Sequence, residues 1–332
     1  MPKRVPAGRR NQARPADGRA RRVDSRARPP QPVPARAGRK AGTLTGILKD
    51  ADDPRTRWLR ETFPNLPEIA RAATTTVQVL VRPTGQEFPH PTVGTAMQYR
   101  LFMALGGGAA LATSVTPAVY GARHLVSLTR QFEAYPFDQP EAGHWGWMTT
   151  ALASTNEETL ARAAFALALY EEPYRRPAAL AHTPLAGRSG MAEVLALAPD
   201  AVVADLLAQL ELAQPHLDTL RAMGKARLAV TPAGAPMVGN AEADLLLGTT
   251  LIEVKSTVHP QREIEGALWQ LLAYALLDYA DAWALTDVGV YLSRSGRLLI
   301  WRLSDLLAEA AGQSIELAGL RAAFREVASA RR

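Results

Sequence analysis

The stretch Ala241-Glu-Ala-Asp-Leu-Leu-Leu-Gly-Thr-Thr-Leu-Ile-Glu-Val-Lys-Ser256 contains two extended runs on either side of Gly248-Thr249. A Gly-X pair between two strands is typical of a two-residue type II′ hairpin turn. In the register that this turn imposes, Asp244 lies opposite Glu253. The stretch therefore predicts a β-hairpin that holds two acidic side chains next to each other.

Side chains alternate between the two faces of a strand, so the predicted hairpin has one apolar and one charged face. The charged face carries Asp244 opposite Glu253, and Glu242 opposite Lys255. The apolar face is expected to pack against a helix. It consists of Ala243, Leu245, Leu247, Ile252 and Val254.

The opposed carboxylates of Asp244 and Glu253 are the chemically informative feature of this hairpin. Directly opposed side chains have Cβ atoms roughly 4.5–5.5 Å apart, and two negative charges at that distance repel each other. A divalent cation such as Mg²⁺ or Mn²⁺ offsets the repulsion, because it prefers oxygen ligands and commonly takes one or two carboxylates plus water. The hairpin therefore predicts a metal site, and an ordinary solvent-facing hairpin of mixed charge is the alternative.

The sequence around the hairpin combines strands with one long helix. Strands are predicted at residues 227–231, 241–247, 250–257, 288–292 and 297–303, with a helix at 261–279 between the third and the fourth. The order β-β-β-α-β-β indicates a mixed α/β core. We assign it to residues 224–332, which end in a helical stretch from Ser304.

The chain before this core is predicted to be mainly helical and to pack on it, over residues 42–223. It begins with a helical entry at 52–68, a short strand at 74–81, a loop at 83–91 and a helix at 93–105. Further helices are predicted at 120–134, 157–172, 190–198 and 200–222, with breaks at several prolines, Pro173 among them.

The first 41 residues have a composition of their own. Residues 1–40 hold 13 Lys and Arg and 2 Asp, a net charge of +11, whereas the remainder holds 25 basic and 30 acidic residues, a net charge of −5. With so few large apolar residues, this segment cannot offset the chain entropy lost on folding. We therefore expect a disordered basic tail over residues 1–41. It contacts nucleic-acid phosphates non-specifically, or it is a solubilising leader without a partner, or the start of the sequence is predicted too far upstream.

Composition also excludes several classes of site. The chain has no Cys, which excludes disulfides, thiolate nucleophiles and Cys-based metal sites and fits a cytoplasmic protein. Its six His show no HxxxH or HxH spacing, so a zinc site is not expected. The uncharged segment Leu101–Ala122 is interrupted by three glycines at 106–108 and by Pro117, which favours a buried helix and a loop over a membrane span.

The hairpin and the helix after it resemble the PD-(D/E)XK nuclease superfamily, which has a restriction-endonuclease-like fold. Its signature is an acid on one strand followed by (D/E)xK on the next, and Asp244 with Glu253-Val254-Lys255 matches it. Ala243 stands where the signature has Pro. The following helix carries Gln270-Leu-Leu-Ala-Tyr274, which resembles the QxxxY motif of the RecB-like branch, and residues four apart share one helical face.

This resemblance implies a role for each matched residue. Asp244, Glu253 and the backbone carbonyl of Val254 would hold a Mg²⁺ or Mn²⁺ ion. Lys255 would orient or help to deprotonate the attacking water and would stabilise charge at the phosphate. The pair Gln270 and Tyr274 would contact the lysine, the metal shell or the nucleic-acid backbone. The chain as a whole is also similar to a group of actinobacterial proteins, a resemblance that implies no activity.

The family usually adds a glutamate from an upstream helix, and here the match is incomplete. The segment Val93–Arg100 resembles the start of a GxxxH helix, but it has Gln98 in place of His and is followed by Phe102 where an acid would fall. We assign Glu172 as the additional metal ligand. Three alternatives are left open: Glu171, Glu193 and Glu211.

The expected function is that of a metal-dependent nuclease that hydrolyses phosphodiester bonds in nucleic acid, with DNA as the expected substrate. The alternative is a catalytically inactive module of the same fold that binds nucleic acid or a protein partner. Three other features are interpreted as structural. The aromatic cluster 144–147 is taken as packing rather than base stacking, Arg294 as a solvated turn residue rather than a phosphate ligand, and His259 as a loop residue.

Overall fold

A computed structural model describes residues 43–83, 90–113, 148–176, 182–185, 188 and 190–330. Within them the fold is mixed α/β, as predicted, with one five-stranded sheet and helices on both of its faces. The helices are α1 (Leu44–Lys49), α2 (Pro54–Thr62), α3 (Leu66–Thr74), α4 (His90–Phe102), α5 (Gly108–Thr113), α6 (Glu157–Arg175), α7 (Met191–Leu195), α8 (Asp200–Met223), α9 (Pro260–Leu277), α10 (Leu303–Ala311) and α11 (Leu317–Ser329). The strands are β1 (Ala226–Val230), β2 (Ala243–Leu247), β3 (Thr250–Lys255), β4 (Asp287–Leu292) and β5 (Arg297–Arg302).

The five strands lie in the sheet in chain order, β1-β2-β3-β4-β5. Neighbouring strands are antiparallel except for β3 and β4, which are parallel. Helix α9 connects β3 to β4 and supplies the crossover that a parallel pair requires. The predicted order β-β-β-α-β-β is therefore confirmed, with strand ends shifted by one or two residues.

Strands β2 and β3 are joined by the predicted two-residue turn. The backbone φ is +57° at Gly248 and is not positive at Thr249, as a type II′ turn requires. Leu245 pairs with Ile252, so the predicted register is confirmed. Glycine is needed at this position for a second reason, because a Cβ on Gly248 would collide with the backbone oxygen of Met223 at the end of α8.

Both faces of the hairpin are buried. Leu245, Leu247, Ile252 and Val254 pack in one core with α4, α6 and α8, as predicted for the apolar face. Ala243 is an exception: it lies in the second core with α9, before the point at Leu245 where β2 begins to pair with β3. The charged face of the hairpin lies on the side of this second core, so an ordinary solvent-facing hairpin is excluded.

The strand predicted at residues 74–81 is wrong. Thr74 is the last residue of α3, and the segment after it adopts no regular structure. The backbone N–H groups of Leu80 and Val81 both donate to the carbonyl of Arg294, at 2.9 and 3.1 Å. The two N–H groups thus share one carbonyl acceptor and do not form the ladder of hydrogen bonds that a strand would have.

Pro173 does not end its helix, contrary to the prediction, and α6 continues to Arg175. A proline removes one helical hydrogen bond. Here the loss falls in the last turn, and Pro173 is itself buried. The continuation extends α6 by Tyr174 and Arg175 beyond the predicted break.

Three predictions concern residues outside the described ranges: the tail 1–41, the helix 120–134 and the aromatic cluster 144–147. The described residues from Thr43 onward belong to one compact unit. Among the described helices, none is both long enough and apolar enough to cross a membrane.

Candidate functional site

Asp244 in β2 and Glu253 in β3 lie side by side on the charged face of the hairpin. The backbone N–H of Val254 donates a hydrogen bond of 2.8 Å to Asp244 Oδ2, which ties the strands together beyond the last backbone pair, Leu245 and Ile252. Glu253 is only 3% exposed, and its Oε2 is buried without a hydrogen-bond partner among the described residues. One carboxylate oxygen is therefore left for a further ligand.

Lys255 ends β3, and its side chain turns back into this cluster. Its Nζ lies 2.7 Å from Glu253 Oε1 and 2.8 Å from Gln270 Oε1. Gln270 comes from α9 and donates through Nε2 to Thr45 Oγ1 in α1, at 3.2 Å. Because an ammonium group has three N–H donors, one donor of Lys255 is left for a group that enters the site.

Tyr274 lies one helical turn after Gln270 and has a different partner. Its hydroxyl donates a hydrogen bond of 2.8 Å to the backbone oxygen of Glu242, just before β2. The QxxxY spacing therefore directs both side chains to the hairpin. Gln270 holds the lysine, whereas Tyr274 holds the strand that carries Asp244.

A cavity of about 360 Å³ opens beside these residues. Its walls come from distant parts of the chain: α1, the start of α4, the end of α6, the segment before β2, the end of β3, and α9. The volume lies within the range of small-molecule sites. The charged residues in its walls are Arg175, Glu242, Asp244, Glu253 and Lys255.

Burial and the neighbouring charges shift the pKa values of Asp244 and Lys255. Burial, followed by the charge of Glu253, raises the pKa of Asp244 to about 8. Burial alone would lower the pKa of Lys255, but the negative charges of Glu253 and Asp244 outweigh it, and the pKa of Lys255 is raised. In the metal-free protein at neutral pH, Asp244 therefore holds a proton and Lys255 keeps its positive charge.

Glu242 does not pair with Lys255, although the register places the two residues opposite each other. Its Oε1 accepts a hydrogen bond of 2.7 Å from the Tyr174 hydroxyl, and its Oε2 lies 3.5 Å from Arg175 Nη2. Both partners come from the end of α6, beyond Pro173. Burial raises the pKa of Glu242, and Arg175 opposes that shift.

Glu172, the assigned upstream ligand, does not line the cavity. Its Oε1 accepts hydrogen bonds from the Thr92 hydroxyl at 2.8 Å and from Arg176 at 3.1 Å. Two of the alternatives, Glu193 and Glu211, are exposed on α7 and α8 and do not line it either. The structure therefore does not bring Glu172 together with the hairpin acids.

Glu171 is the upstream acid on the side of the hairpin. It is buried, accepts a hydrogen bond of 2.8 Å from the Tyr99 hydroxyl, and forms an ion pair with Arg175. A narrow crevice beside the main cavity is lined by Glu171 and Asp244 together. From α4, Gln98 lines the cavity, while Phe102 is buried in the first core.

The available donors fit a single, partly hydrated ion. Across the described ranges, no three His, Asp or Glu side chains form a group that could hold a metal. Asp244 and Glu253 supply two carboxylates beside the cavity, one with a buried unsatisfied oxygen, and Val254 also lines the cavity. Mg²⁺ commonly binds through one or two carboxylates and several waters, so these residues fit Mg²⁺ or Mn²⁺.

Arg294 is buried rather than a solvated turn residue, which corrects the sequence interpretation. It forms two hydrogen bonds to the Asp205 carboxylate, at 2.6 and 2.8 Å. Asp205 accepts from Gln209 at 2.9 Å, and Gln209 in turn accepts from Ser256 at 2.8 Å and from Ser293 at 2.7 Å. This network fixes the chain immediately after β3, and nothing local in the sequence indicated it.

Comparisons of the chain with protein-family models, with curated proteins and with solved structures find no match in any of the three. The geometry of the site itself is thus the basis for assigning a function. His259 adds nothing to that geometry, because it is exposed at the start of α9 and does not line the cavity.

Proposed function

We propose that this chain is a metal-dependent nuclease of the PD-(D/E)XK type that hydrolyses phosphodiester bonds in nucleic acid, with DNA as the substrate. The observation that carries the proposal is the convergence of Asp244, Glu253 and Lys255 on one cavity. A structural ion pair alone does not account for it, because Glu253 Oε2 stays buried without a partner among the described residues. An unsatisfied buried oxygen costs roughly 1–3 kcal/mol, more when it is charged, and a bound cation removes that cost.

The arrangement of the sheet supports a restriction-endonuclease-like fold. The motif residues occur in the order strand, strand and crossover helix, with Asp244 on β2, Glu253 and Lys255 on β3, and Gln270 and Tyr274 on α9. Helices cover both faces of the sheet, as a restriction-endonuclease-like core requires.

Asp244, Glu253 and the carbonyl of Val254 are the groups that would hold the metal ion. When bound, Mg²⁺ or Mn²⁺ supplies Lewis-acid polarisation of the phosphate and lowers the pKa of a coordinated water. Asp244 must give up its proton to serve as a ligand, because its pKa in the metal-free protein is about 8. Metal binding and proton release are therefore linked at this residue.

Lys255 acts as a charged donor rather than as a base. Its raised pKa keeps it protonated at neutral pH. Two of its N–H groups are directed to Glu253 and Gln270, so the third can hold a non-bridging phosphate oxygen or the attacking water. The carboxamide of Gln270, fixed by Thr45, keeps the ammonium group in this position.

The test compares two site variants with matched exposed ones. Purified full-length protein is incubated with Mg²⁺ or Mn²⁺ and with single- and double-stranded DNA and RNA. Glu253→Gln is paired with Glu211→Gln, and Lys255→Met with Lys225→Met, because Glu211 and Lys225 are exposed. The parent and the controls should cut at least one substrate, and the site variants should be slower by about 100-fold or more. Failure of the parent to cut any substrate, or site variants as fast as the parent, would show the proposal to be wrong.

A non-cleaving nucleic-acid-binding module is the second candidate. It is favoured by the charge state of the metal-free site, in which Lys255 pairs with Glu253 and Asp244 holds a proton. This candidate predicts that Mn²⁺ does not bind at the site and that nucleic-acid binding is unchanged in Asp244→Ala but lost on removal of residues 1–40. Calorimetric detection of Mn²⁺ binding that disappears in Asp244→Ala would contradict this second candidate, and the cleavage assay then tests the nuclease.

A further inference from the structure

Arg175 is a second cation in the wall of the cavity, and its guanidinium lies among carboxylates. Its Nε donates to Glu171 Oε1, and its Nη2 lies 3.5 Å from Glu242 Oε2. Arg175, Glu171, Glu242 and Asp244 all line the crevice that adjoins the main cavity. The guanidinium therefore lies between Glu171 and Glu242, and Asp244 lines the same crevice.

Two tyrosines orient the carboxylates that hold Arg175. The Tyr99 hydroxyl donates to Glu171 Oε2 at 2.8 Å, and the Tyr174 hydroxyl donates to Glu242 Oε1 at 2.7 Å. In each carboxylate, one oxygen is directed by a tyrosine and the other faces the guanidinium. A site that must hold a functional side chain in a fixed position needs supporting hydrogen bonds of this kind.

These contacts leave Arg175 available to a ligand. Its side chain remains 44% exposed, and it lines the same cavity as Lys255 and Glu253. In the described part of the chain, Arg175 Nη1 has no hydrogen-bond or ion-pair partner. A guanidinium presents its N–H donors in a planar fork that matches the oxygens of a phosphate group.

The balance of charge gives Arg175 a further role. Lys255 pairs with Glu253, and Arg175 lies beside Glu171 and Glu242, so the cavity wall carries two cations. Many phosphodiester-cleaving sites place two metal ions about 3.5–4 Å apart, so that both the attacking and the leaving oxygen are stabilised. Here a guanidinium already occupies the place between two carboxylates, Glu171 and Glu242, where a second ion would have to bind.

We propose that Arg175 binds the phosphate of the substrate and takes the place of a second divalent cation, so that the site holds a single metal ion. That the phosphate belongs to a nucleic acid rests on the proposed nuclease function. The expected number of metal ions rests on Arg175, Glu171, Glu242 and Asp244, and it does not depend on which substrate carries the phosphate.

The first test counts the metal ions. Full-length protein is titrated with MnCl₂ by isothermal titration calorimetry. Wild type is expected to bind one Mn²⁺ per chain, as is the control Arg176→Met, because Arg176 pairs with Glu172 and does not line the cavity. Arg175→Met leaves Glu171 and Glu242 without their cation, beside Asp244 in the same crevice, and is expected to bind a second Mn²⁺. Adding Glu171→Gln to Arg175→Met should restore the count to one.

Either of two results overturns the metal count: two Mn²⁺ ions per wild-type chain, or a single ion in a folded Arg175→Met variant. The wild-type result does not depend on any substitution, so the proposal can be rejected even if Arg175→Met fails to fold.

The second test measures the binding of a phosphate monoester, which contains no diester bond for the site to cleave. Thymidine 5′-monophosphate is titrated into protein saturated with Mn²⁺. Arg175→Lys keeps the charge but loses the planar fork, so its affinity should fall about 10-fold while one Mn²⁺ is still bound. Arg176→Met should stay within about twofold of wild type. Equal affinity in Arg175→Lys and wild type would exclude a phosphate contact by Arg175.

The outcomes separate this proposal from the nuclease assignment. If the protein cuts no nucleic acid but Arg175→Met binds a second Mn²⁺, the role of Arg175 is supported and the nuclease function is excluded. If the protein is an active nuclease and the wild-type chain binds two Mn²⁺ ions, the nuclease function is supported and the role of Arg175 is excluded.

Discussion

The ammonium group of Lys255 donates a hydrogen bond of 2.8 Å to the side-chain oxygen of Gln270. This bond joins the end of β3 to the crossover helix that follows it. Since Lys255 has only Glu253 as its other partner among the described residues, Gln270 determines the direction in which the third N–H points.

Replacing Gln270 with Leu should therefore slow cleavage without removing the metal. We expect a decrease of roughly 10- to 100-fold in the rate of DNA cleavage, because small displacements of a positioned group have effects of that size. Mn²⁺ affinity should change by less than about threefold, since Gln270 is not among the proposed ligands. Gln261→Leu, an exposed position on the same helix, is the control. Equal rates in Gln270→Leu and Gln261→Leu would show that the Lys255–Gln270 bond has no part in the reaction.

Metal binding should release a proton. The pKa of Asp244 is about 8 in the metal-free protein, because the carboxyl is largely buried and lies beside Glu253. A cation must displace that proton below pH 8, so Mn²⁺ affinity should rise about tenfold for each unit between pH 6 and pH 7.5. Calorimetry in two buffers with different ionisation enthalpies counts the released proton directly. An affinity that does not change over this range would mean that Asp244 is already ionised before the metal arrives.

The same pKa makes the stability of the metal-free protein depend on pH. Asp244 has a pKa of about 8 when folded and an ordinary value of 3.8 when unfolded. Between these values the folded state binds one more proton than the unfolded state, so the free energy of unfolding decreases as pH rises and levels off above pH 8. The decrease should be about 1–2 kcal/mol from pH 5 to pH 8, allowing for the partial exposure of the carboxyl.

Asp244→Asn isolates this contribution. The amide does not titrate, so the difference in unfolding free energy between the variant and wild type should grow in favour of the variant as pH rises from 5 to 8. Urea denaturation in the presence of a chelator measures both curves. Parallel curves over that range would contradict a raised pKa for Asp244.

The sequence predicts the hairpin well because its determinants are local. A Gly-X turn and the alternation of side chains are enough to place Asp244 beside Glu253, and both signals lie within sixteen residues. The four-residue spacing on α9 likewise brings Gln270 and Tyr274 to the same side. What local spacing does not give is the partner of each side chain, and Tyr274 contacts the backbone of Glu242 instead of the lysine.

The upstream residues depend on tertiary packing, so local patterns are insufficient to place them. Glu171 and Glu172 are consecutive, and in a helix of 3.6 residues per turn they point about 100° apart. Which of them faces the hairpin depends on the rotation of α6 against β2, and the structure selects Glu171. A helix that ended at Pro173 would leave Arg175 outside it, whereas α6 continues to Arg175, which lies four residues after Glu171 and pairs with it.

The pair of Arg294 and Asp205 is the clearest example of an interaction that sequence patterns do not indicate. The two residues lie 89 positions apart, and both are nearly inaccessible to solvent. Through Gln209 the pair supports Ser256, the residue after Lys255. The network thus contributes to the stability of the fold and to the position of the strand end that carries the lysine.

Removing one member of this pair should be costly, because the other is left as a buried, uncompensated charge. Arg294→Met should lower the free energy of unfolding by about 3–5 kcal/mol, and Arg294→Met combined with Asp205→Leu should recover a large part of the loss. Arg162→Met provides the contrast: Arg162 pairs with the exposed acids Glu158 and Asp200, and its loss should cost less than about 1 kcal/mol. Urea denaturation of the three variants against wild type gives the values. If Arg294→Met costs no more than Arg162→Met, the ion pair does not hold the end of β3, and the position of Lys255 depends on Glu253 and Gln270 alone.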